Sequence, residues 1–286
     1  MTRAAGVSTI LLTSAAMVAF AANSLLCRMA LGARLIDAAS FTAVRLVCGA
    51  LFLALLVALS KRRSLRMPAD VIAVVALFAY AIAFSFAYLG LSAGTGALIL
   101  FGAVQITMIG AGLVNRERLP VLGWSGLVLA CAGLAALLAP GVTAPPLLNA
   151  LLMALAGVAW GVYSLRGRKA PDPLQATAGN FLWTVPLALL SVPILAHPPQ
   201  ASTHGLLLAA ASGAVASGLG YVIWYAALAR LRAIAAASVQ LSVPVIAAIG
   251  GVLLLGEQAS LRLALSSLAV LGGIGLVLRA RQAPPG

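Results

Sequence analysis

The stretch VAFAANSLLCRMA at residues 18–30 returns as VAWGVYSLRGRKA at residues 158–170, and this repetition at an offset of 140 residues governs the organisation of the chain. The same offset aligns Glu117 with Glu257 and Gly133 with Gly273, so the repeat extends through each half. Its length far exceeds the roughly 20–50 residues of a solenoid unit. We therefore predict two related units, residues 1–140 and residues 141–286.

Composition places both units in a membrane. Of the 286 residues, 63% are hydrophobic and only 8% are charged, whereas soluble domains carry about 25% charged residues. The segments between charged clusters are mostly about 18–25 apolar residues long, enough to cross a hydrocarbon core of about 30 Å as a helix. We predict an all-α integral membrane protein with ten spans, at about 6–31, 39–60, 69–90, 94–114, 121–139, 147–165, 174–195, 205–228, 233–255 and 260–279.

The positive charges predict how these spans are oriented. With the N-terminus inside, 14 of the 18 Lys and Arg residues fall on the cytoplasmic side, as the positive-inside rule favours. Arg28, Arg34 and Arg262 fall outside, and Arg45 lies within a span. We therefore expect both termini in the cytoplasm. Because the charges cluster in short loops, the net charge of +13 indicates orientation and contact with lipid headgroups, and not a nucleic-acid partner.

Five spans in each unit mean that the second unit enters the membrane upside down. Arg28 is then expected outside and Arg168 inside, while Glu257 is expected outside and Glu117 inside. Inverted units related by a pseudo-two-fold axis in the membrane plane are typical of secondary transporters, because they can exchange outward-open and inward-open conformations. The predicted architecture therefore favours alternating access.

Motifs at equivalent places in the two units add a family resemblance. The first unit carries FAYL at residues 86–89, SAGT at residues 92–95 and ERL at residues 117–119, and the second carries WYAAL at residues 224–228, Pro244, Gly256-Glu257 and GGIG at residues 272–275. With these motifs the chain resembles the EamA-type members of the drug/metabolite transporter superfamily over nearly its whole length. The resemblance indicates the superfamily and leaves the substrate open.

The resemblance implies ten helices in two inverted five-helix repeats, with a central substrate cavity. Members of the superfamily move amino acids, other metabolites and drugs across bacterial inner membranes, so we expect a multi-pass inner-membrane protein that exports amino acids. A proline is usual in the ninth helix, where Pro244 is expected to produce a kink because proline removes a backbone hydrogen bond. The equivalent position of the fourth helix holds Val104.

Polar and aromatic side chains within spans are the candidates for this cavity, because hydrocarbon penalises them unless they face a cavity or a partner. Together they would form a pocket with aromatic walls and a few amide groups, suited to a neutral or zwitterionic metabolite. Hydrogen bonds between helices and aromatic belts at the membrane interfaces are the alternative roles. The predicted substrate-binding residues are Asn23, Tyr80, Tyr88, Gln105, Trp160, Tyr163, Tyr221, Trp224 and Gln240, with Trp183 among the further aromatic candidates.

Arg45 is the basic residue placed nearest the middle of the membrane. Its guanidinium could pair with a substrate carboxylate through several planar donors. It could instead satisfy helix-end carbonyls or a neighbouring polar group, and we favour that structural role.

The five acidic residues all fall at predicted span ends or in loops. Proton-coupled transporters usually place a carboxylate in the membrane interior, so we expect facilitated or exchange transport. Glu117 and Glu257 could gate the two ends of the pathway. We favour helix capping, or pairing with a nearby arginine (Arg116, Arg118 or Arg262), as their role.

Other functions compete with transport. An integral-membrane enzyme, such as a lipid-modifying transferase, generally needs paired carboxylates, a His-rich or Asp-rich metal site or a phosphate loop. The sequence contains none of these patterns, so we expect no catalytic residue, no metal and no cofactor. Among transporters, a nucleotide-sugar or sugar-phosphate carrier would need several cations in its cavity, and a drug transporter is the other alternative. The expected partners are a small-molecule substrate and membrane lipids; a monomer is compatible with the sequence.

Overall fold

The computed structural model of the chain describes residues 3–60, 67–114, 116, 119–141, 144–167, 170–196, 198–228, 231, 239–258 and 260–280. Over these ranges the secondary structure is helical, apart from an isolated antiparallel bridge between Ile36 and Ala201. Within the same ranges, eight helices are long and apolar enough to cross a membrane, and two more are apolar but shorter. The prediction of an all-α membrane fold is confirmed in this form.

The helices follow the predicted spans to within a few residues wherever the chain is described. The eighth helix, α8, is a composite: an α-helix at Thr203–Ala211 passes into a π-helical stretch at Ser212–Leu219 and returns to an α-helix at Gly220–Leu228. The two shorter helices are Val71–Ala87 and Ser242–Leu255. The remaining bounds are α1 Arg3–Gly32, α2 Ala38–Leu59, α3 Val71–Ala87, α4 Ala93–Val114, α5 Val121–Leu138, α6 Leu147–Gly167, α7 Pro173–Leu195, α9 Ser242–Leu255 and α10 Leu261–Ala280.

Polar residues at the predicted span ends start several of these helices. Asp37 caps α2 by accepting a hydrogen bond from the backbone N–H of Ser40, and Asp70 and Asp172 cap α3 and α7 in the same way. Ser202 caps α8. A side-chain oxygen at this position satisfies N–H groups that lack a partner in the first helical turn. Three of the five acidic residues are therefore explained by local backbone chemistry.

One end of the bundle, which we call the Arg28 end, contains the starts of the even-numbered helices. The bridge between Ile36 and Ala201 joins the α1–α2 loop to the α7–α8 loop there. Arg262 at the start of α10 donates to the carbonyl of Ala139 after α5. The Nδ2 of Asn149, at the start of α6, donates to the carbonyl of Phe86 near the end of α3, at 3.1 Å.

The opposite end, which we call the Asp70 end, contains the starts of α3 and α7 and the end of α6. Arg166 at the end of α6 forms an ion pair with Asp70, with 2.8 Å between Nε and Oδ2. The backbone N–H of Asp70 also donates to Oδ1 of Asn180 on α7. Consecutive helices thus run in alternating directions between two chemically distinct ends.

Contacts between helices cross from one predicted unit to the other. The α2 helix packs on α7, and α5 packs on α10. The α1 helix contacts α8 and α9, and the helix at the equivalent place in the second unit, α6, contacts α3 and α4, which are equivalent to α8 and α9. Small residues permit the closest approaches: a Cβ atom at Gly126 or Gly273 would collide with the backbone of the opposing helix, α10 or α5. Such packing is usual where helices associate in lipid.

The π-helical stretch in α8 was not predicted. It lies where α8 crosses α2. At this crossing Gly213 approaches the backbone carbonyl of Arg45 so closely that a Cβ atom would overlap the carbonyl oxygen. Gly218 approaches the ring of Phe52 in the same way. Short π-helical segments often occur at functional sites, and this one contributes side chains to the site described below.

Pro244 occupies the first turn of α9, which begins at Ser242. The predicted kink assumed a proline inside a continuous helix. In the structure the helical pattern is interrupted at Leu241. In a continuous helix the ring of Pro244 would clash with the carbonyl of Gln240, four residues earlier, and the interruption lies next to that residue. The α4 helix, with Val104 at the equivalent position, continues without interruption from Ala93 to Val114.

Candidate functional site

An aromatic cage lies between α1, α3, α6 and α8. It consists of Phe20, Tyr80, Phe84, Trp160 and Tyr221, so both predicted units contribute to it. The Trp160 ring centroid is 5.0 Å from those of Tyr80 and Tyr221 and 6.3 Å from that of Phe20. Tilted and edge-to-face contacts at such distances are the arrangement that aromatic rings prefer.

The cage encloses a cavity of about 20 Å³, completed by Asn23, Ser24, Leu100, Phe101 and Ala216. A volume of this size accommodates about one water molecule. A molecule larger than water therefore fits into this cavity only after the rings move apart.

A hydrogen-bond network of five side chains runs along one wall of the cage. Arg45 on α2 donates from Nη2 to the hydroxyl of Tyr80 at 2.9 Å and from Nε to Oγ of Ser217 at 3.2 Å. Asn23 on α1 donates from Nδ2 to the same Tyr80 hydroxyl at 3.2 Å. Ser212 donates to Oδ1 of Asn23 at 2.6 Å. The network thus connects α1, α2, α3 and the π-helical stretch of α8.

Arg45 is buried with neutral partners. Its side chain is 1% exposed, and its guanidinium lies 5.1 Å from the Tyr80 ring centroid and 5.0 Å from that of Phe84. Its Nη1 has no hydrogen-bond partner among the described residues. The described carboxylates lie at helix ends, where they cap helices or pair with other arginines. The bonds to Tyr80 and Ser217 are compatible with the favoured structural role, and Nη1 takes no part in them.

The Arg28 end is closed by an ion pair between α1 and the residue that follows α9. Arg28 Nε lies 3.1 Å from Oε1 of Glu257, and Arg28 Nη1 donates to the carbonyl of Tyr88. Both oxygens of Glu257 also accept from the backbone N–H of Ala93, at the start of α4. The carboxylate is therefore stabilised by a cation and by the positive end of a helix dipole.

Glu257 pairs with a different arginine from those offered by the sequence. Arg262, named there as one alternative to helix capping, donates to a backbone carbonyl, and Arg28, 229 residues away along the chain, pairs with Glu257. The equivalent residue Glu117 lies outside the described residues. Whether Glu257 gates a pathway is a separate question, taken up below.

Two larger cavities open at the Asp70 end. One, of about 310 Å³, is lined by Asp70, Arg166 and Asn180 among others. The hydrogen bond from Arg166 holds the pKa of Asp70 below its ordinary value. The other cavity, of about 300 Å³, lies against α2, α7 and α8 and reaches Tyr221. Because Tyr221 also lines the central cavity, its ring separates that cavity from the Asp70 end.

The structure brings some of the predicted residues together and keeps others apart. Asn23, Tyr80, Trp160 and Tyr221 line the central cavity. The remaining predicted residues are buried around it. Tyr163 stacks on Trp160, and Trp224 makes an edge-to-face contact with Phe20. Tyr88 packs on Phe84 and donates to the carbonyl of Ala93, while Gln105 lies inside α4 and Gln240 just before α9.

Trp183 does not face the interior, because its side chain is 62% exposed on the outer surface of α7. Several side chains of the site escaped the sequence reasoning. Phe84 is apolar, and Ser212 and Ser217 are small, so these residues do not stand out in an apolar span. The available signal was the Ser-Gly pair at residues 212–213, repeated at residues 217–218. Within the described ranges, no three His, Cys, Asp or Glu side chains are grouped as metal ligands.

Comparison with known proteins gives three similarities. Residues 147–279 match the model of the EamA-like transporter family. An uncharacterised protein of Pseudomonas aeruginosa is 54% identical over 273 residues, which cover 96% of this chain and 95% of that protein. A solved crystal structure at 20% identity superposes with a TM-score of 0.70, over 96% of this chain and 99% of the other. At 20% identity, the similarity to this crystal structure shows a shared fold and nothing about function.

Proposed function

The chain belongs to the EamA-like transporter family, and from this premise we propose that it is a secondary transporter of small metabolites, with amino acids as its substrates. It is a multi-pass membrane protein. We further propose that it exports these substrates across the bacterial inner membrane by alternating access. The observation that carries the proposal is the aromatic cage, which residues of both units build between a closed end and two cavities.

The helix contacts support two inverted repeats at residues 1–140 and 141–286. The contacts of α1 with α8 and α9 recur as contacts of α6 with α3 and α4, as a two-fold relation between five-helix units requires. The distribution of Lys and Arg favours a cytoplasmic location for both termini. In this orientation the Arg28 end faces the periplasm and the Asp70 end faces the cytoplasm.

The two ends support an inward-facing, occluded conformation. The ion pair between Arg28 and Glu257 fastens α1 to the end of α9 and to the start of α4 at the Arg28 end. At the Asp70 end, cavities of about 310 Å³ and 300 Å³ lead inward, the second as far as Tyr221. We propose that opening requires the Arg28–Glu257 ion pair to break, which makes Glu257 part of a gate.

The described site favours this function over its alternatives. A carrier of nucleotide sugars or sugar phosphates needs several cations around its substrate, and the network beside the cage contains one, Arg45. A lipid-modifying enzyme needs acid–base or metal groups in its site, whereas Asp37, Asp70 and Asp172 cap helices. With no described carboxylate beside the cage, we propose facilitated or exchange transport. Membrane lipids are the remaining partner, and a monomer contains the whole site.

Counterflow in proteoliposomes tests the proposal. Vesicles preloaded with one unlabelled solute are exposed to the same labelled solute, for a panel of amino acids, nucleotide sugars and cationic drugs. We expect counterflow with at least one amino acid. The Trp160→Ala variant should lose it, because Trp160 forms the middle of the cage, whereas Trp183→Ala at the outer surface should retain it. Counterflow restricted to drugs or nucleotide sugars contradicts the substrate class, and none with any solute contradicts transport.

A further inference from the structure

The network beside the cage contains a buried cation whose charge has no described counterpart. Arg45 donates to two hydroxyl oxygens, those of Tyr80 and Ser217, and its Nη1 is without a partner among the described residues. Contacts with the Tyr80 and Phe84 rings offset part of the cost of burying this charge. A buried charge normally requires an opposite charge with good hydrogen bonds. Among the described residues, no negative charge therefore balances the guanidinium of Arg45 at this site.

Three of the four hydrogen bonds described in the network lead to Tyr80. Its hydroxyl oxygen accepts from Arg45 Nη2 and from Asn23 Nδ2, and Asn23 in turn accepts from Ser212. Because its oxygen already accepts these two bonds, the hydrogen bond that Tyr80 can still make is the donation of its own proton. Tyr80 and Asn23 both line the central cavity. The network therefore presents a hydrogen-bond donor, with a cation behind it, to whatever occupies the cage.

Tyr221, a second hydroxyl-bearing residue, lines the same cavity. The hydroxyl of Tyr221 is buried and has no hydrogen-bond partner in the described part of the chain. Apart from Ser24, the rest of the cavity wall is apolar or aromatic, with Phe20, Phe84, Leu100 and Trp160 among its residues. Such a wall suits a group with two acceptor oxygens and one negative charge, attached to an apolar body. A phosphate dianion is a poorer match, because it requires more cations than one arginine.

We infer that Tyr80, with Arg45 behind it, is a subsite for the carboxylate group of the transported molecule. The inference rests on the proposed function and narrows it: recognition depends on the carboxylate, and an ammonium group is not required. Monocarboxylates with an apolar or aromatic body are then ligands alongside zwitterionic amino acids. Tyr80 touches the carboxylate, and Arg45 acts through Tyr80 by supplying the positive charge and fixing the direction of its hydroxyl.

Four probes with the same phenyl body test the inference: 3-phenylpropionate, L-phenylalanine, 3-phenylpropionamide and 2-phenylethylamine. Dissociation constants are measured for the purified full chain from quenching of tryptophan fluorescence, since Trp160 lies in the cage. We expect the two carboxylates to bind, and the amide and the amine to bind about 10-fold more weakly or worse, as expected for the loss of a hydrogen bond to a charged group.

Variants separate recognition from packing. Tyr80→Phe keeps the ring and removes the donor, so the preference for carboxylate over amide should fall to about threefold or less. Arg45→Met should also abolish the preference, and Arg45→Lys should restore part of it because the charge returns. Arg262→Met removes a cation at the Arg28 end and should leave the preference unchanged. If the Arg45 variants do not fold, Tyr80→Phe decides alone.

The outcomes distinguish the inference from the proposed function. Equal affinity for 3-phenylpropionate and its amide, in a protein that carries out amino-acid counterflow, overturns the carboxylate subsite and leaves transport standing. A carboxylate preference that survives Tyr80→Phe overturns it as well. Failure of all four probes to bind, together with failure of counterflow for every solute, overturns both proposals.

Discussion

Replacing Glu257 with glutamine is expected to open the Arg28 end of the protein. The glutamine keeps nearly the same shape and removes the negative charge that attracts Arg28 and the N–H of Ala93. Because these contacts connect α1, the start of α4 and the end of α9, their loss weakens the closed state without creating a void in the apolar core. The equilibrium between the closed and open conformations should shift accordingly.

The structure sets the size of this shift. A hydrogen bond to a charged group contributes about 1.5–3 kcal/mol, and the Arg28 and Glu257 side chains are 27% and 13% exposed, so solvent screens the pair in part. Glutamine can still accept one bond from Ala93. We therefore expect the closed state to lose about 1.5–3 kcal/mol, which corresponds to a roughly 10- to 150-fold increase in the population of the open state while that population is small.

A cysteine in the central cavity reports the opening. Ser24 is 1% exposed and lines the cavity, so Ser24→Cys is placed in a background in which Cys27, Cys48 and Cys131 are replaced by alanine. A membrane-impermeant maleimide is added on the outside of cells, and the labelling rate is measured. Labelling should be slow in the parent and about 10- to 100-fold faster with Glu257→Gln, in line with the shift in population.

Controls separate the ion pair from a general effect of charge. Arg28→Gln should accelerate labelling about as much as Glu257→Gln, and the double variant should be little faster than either, because both remove the same interaction. Arg34→Gln, at an exposed position of the same end, should have no effect. Equal labelling rates for the parent and Glu257→Gln, or equal acceleration by Arg34→Gln, would refute the reasoning.

Three further predictions concern packing, access and pH. Gly213→Ala should lower the free energy of unfolding in mixed detergent–SDS micelles by about 1–3 kcal/mol, because the added Cβ atom would overlap the Arg45 carbonyl. Gly272→Ala is the control: a Cβ atom there would meet no neighbouring helix within 4 Å, so the variant should be neutral or stabilising by up to about 1 kcal/mol. Equal effects of the two substitutions would contradict this account. Tyr221→Ala should join the central cavity to that of about 300 Å³ and raise the counterflow of bulky amino acids relative to that of small ones, whereas Tyr221→Phe keeps the ring and should leave this ratio unchanged. Asp70→Asn should lower the melting temperature at pH 7, because the carboxylate pairs with Arg166. Since folding lowers the pKa of Asp70, the difference in melting temperature between parent and variant should persist near pH 4 and disappear only at lower pH. A difference in melting temperature that does not change with pH would contradict this prediction.

The helices and their ends were predictable from the sequence because they depend on neighbouring residues. The apolar length of each span fixes a helix, since backbone polar groups in lipid must be satisfied within the segment. Asp70 and Asp172 were placed at span ends, and each caps the helix that follows within three residues. The interruption before Pro244 likewise follows from the geometry of the proline ring.

The contacts between distant residues were not predictable in the same way. The sequence offered Arg262 as a partner for Glu257 because it is close along the chain, and the structure provides Arg28 instead. Arg45, Asn23 and Tyr80 were each singled out, but nothing in the sequence joined them to one another.

The sequence by itself determined an all-α membrane protein and the approximate limits of its described helices, because those features depend on local hydrophobicity. The tertiary structure decided which polar side chains meet. In lipid every helix face is apolar, so hydrophobic periodicity does not choose the neighbours, and close approach at small residues does. Gly213, by letting α8 reach the backbone of Arg45, brings Ser217 within reach of that arginine beside the cage.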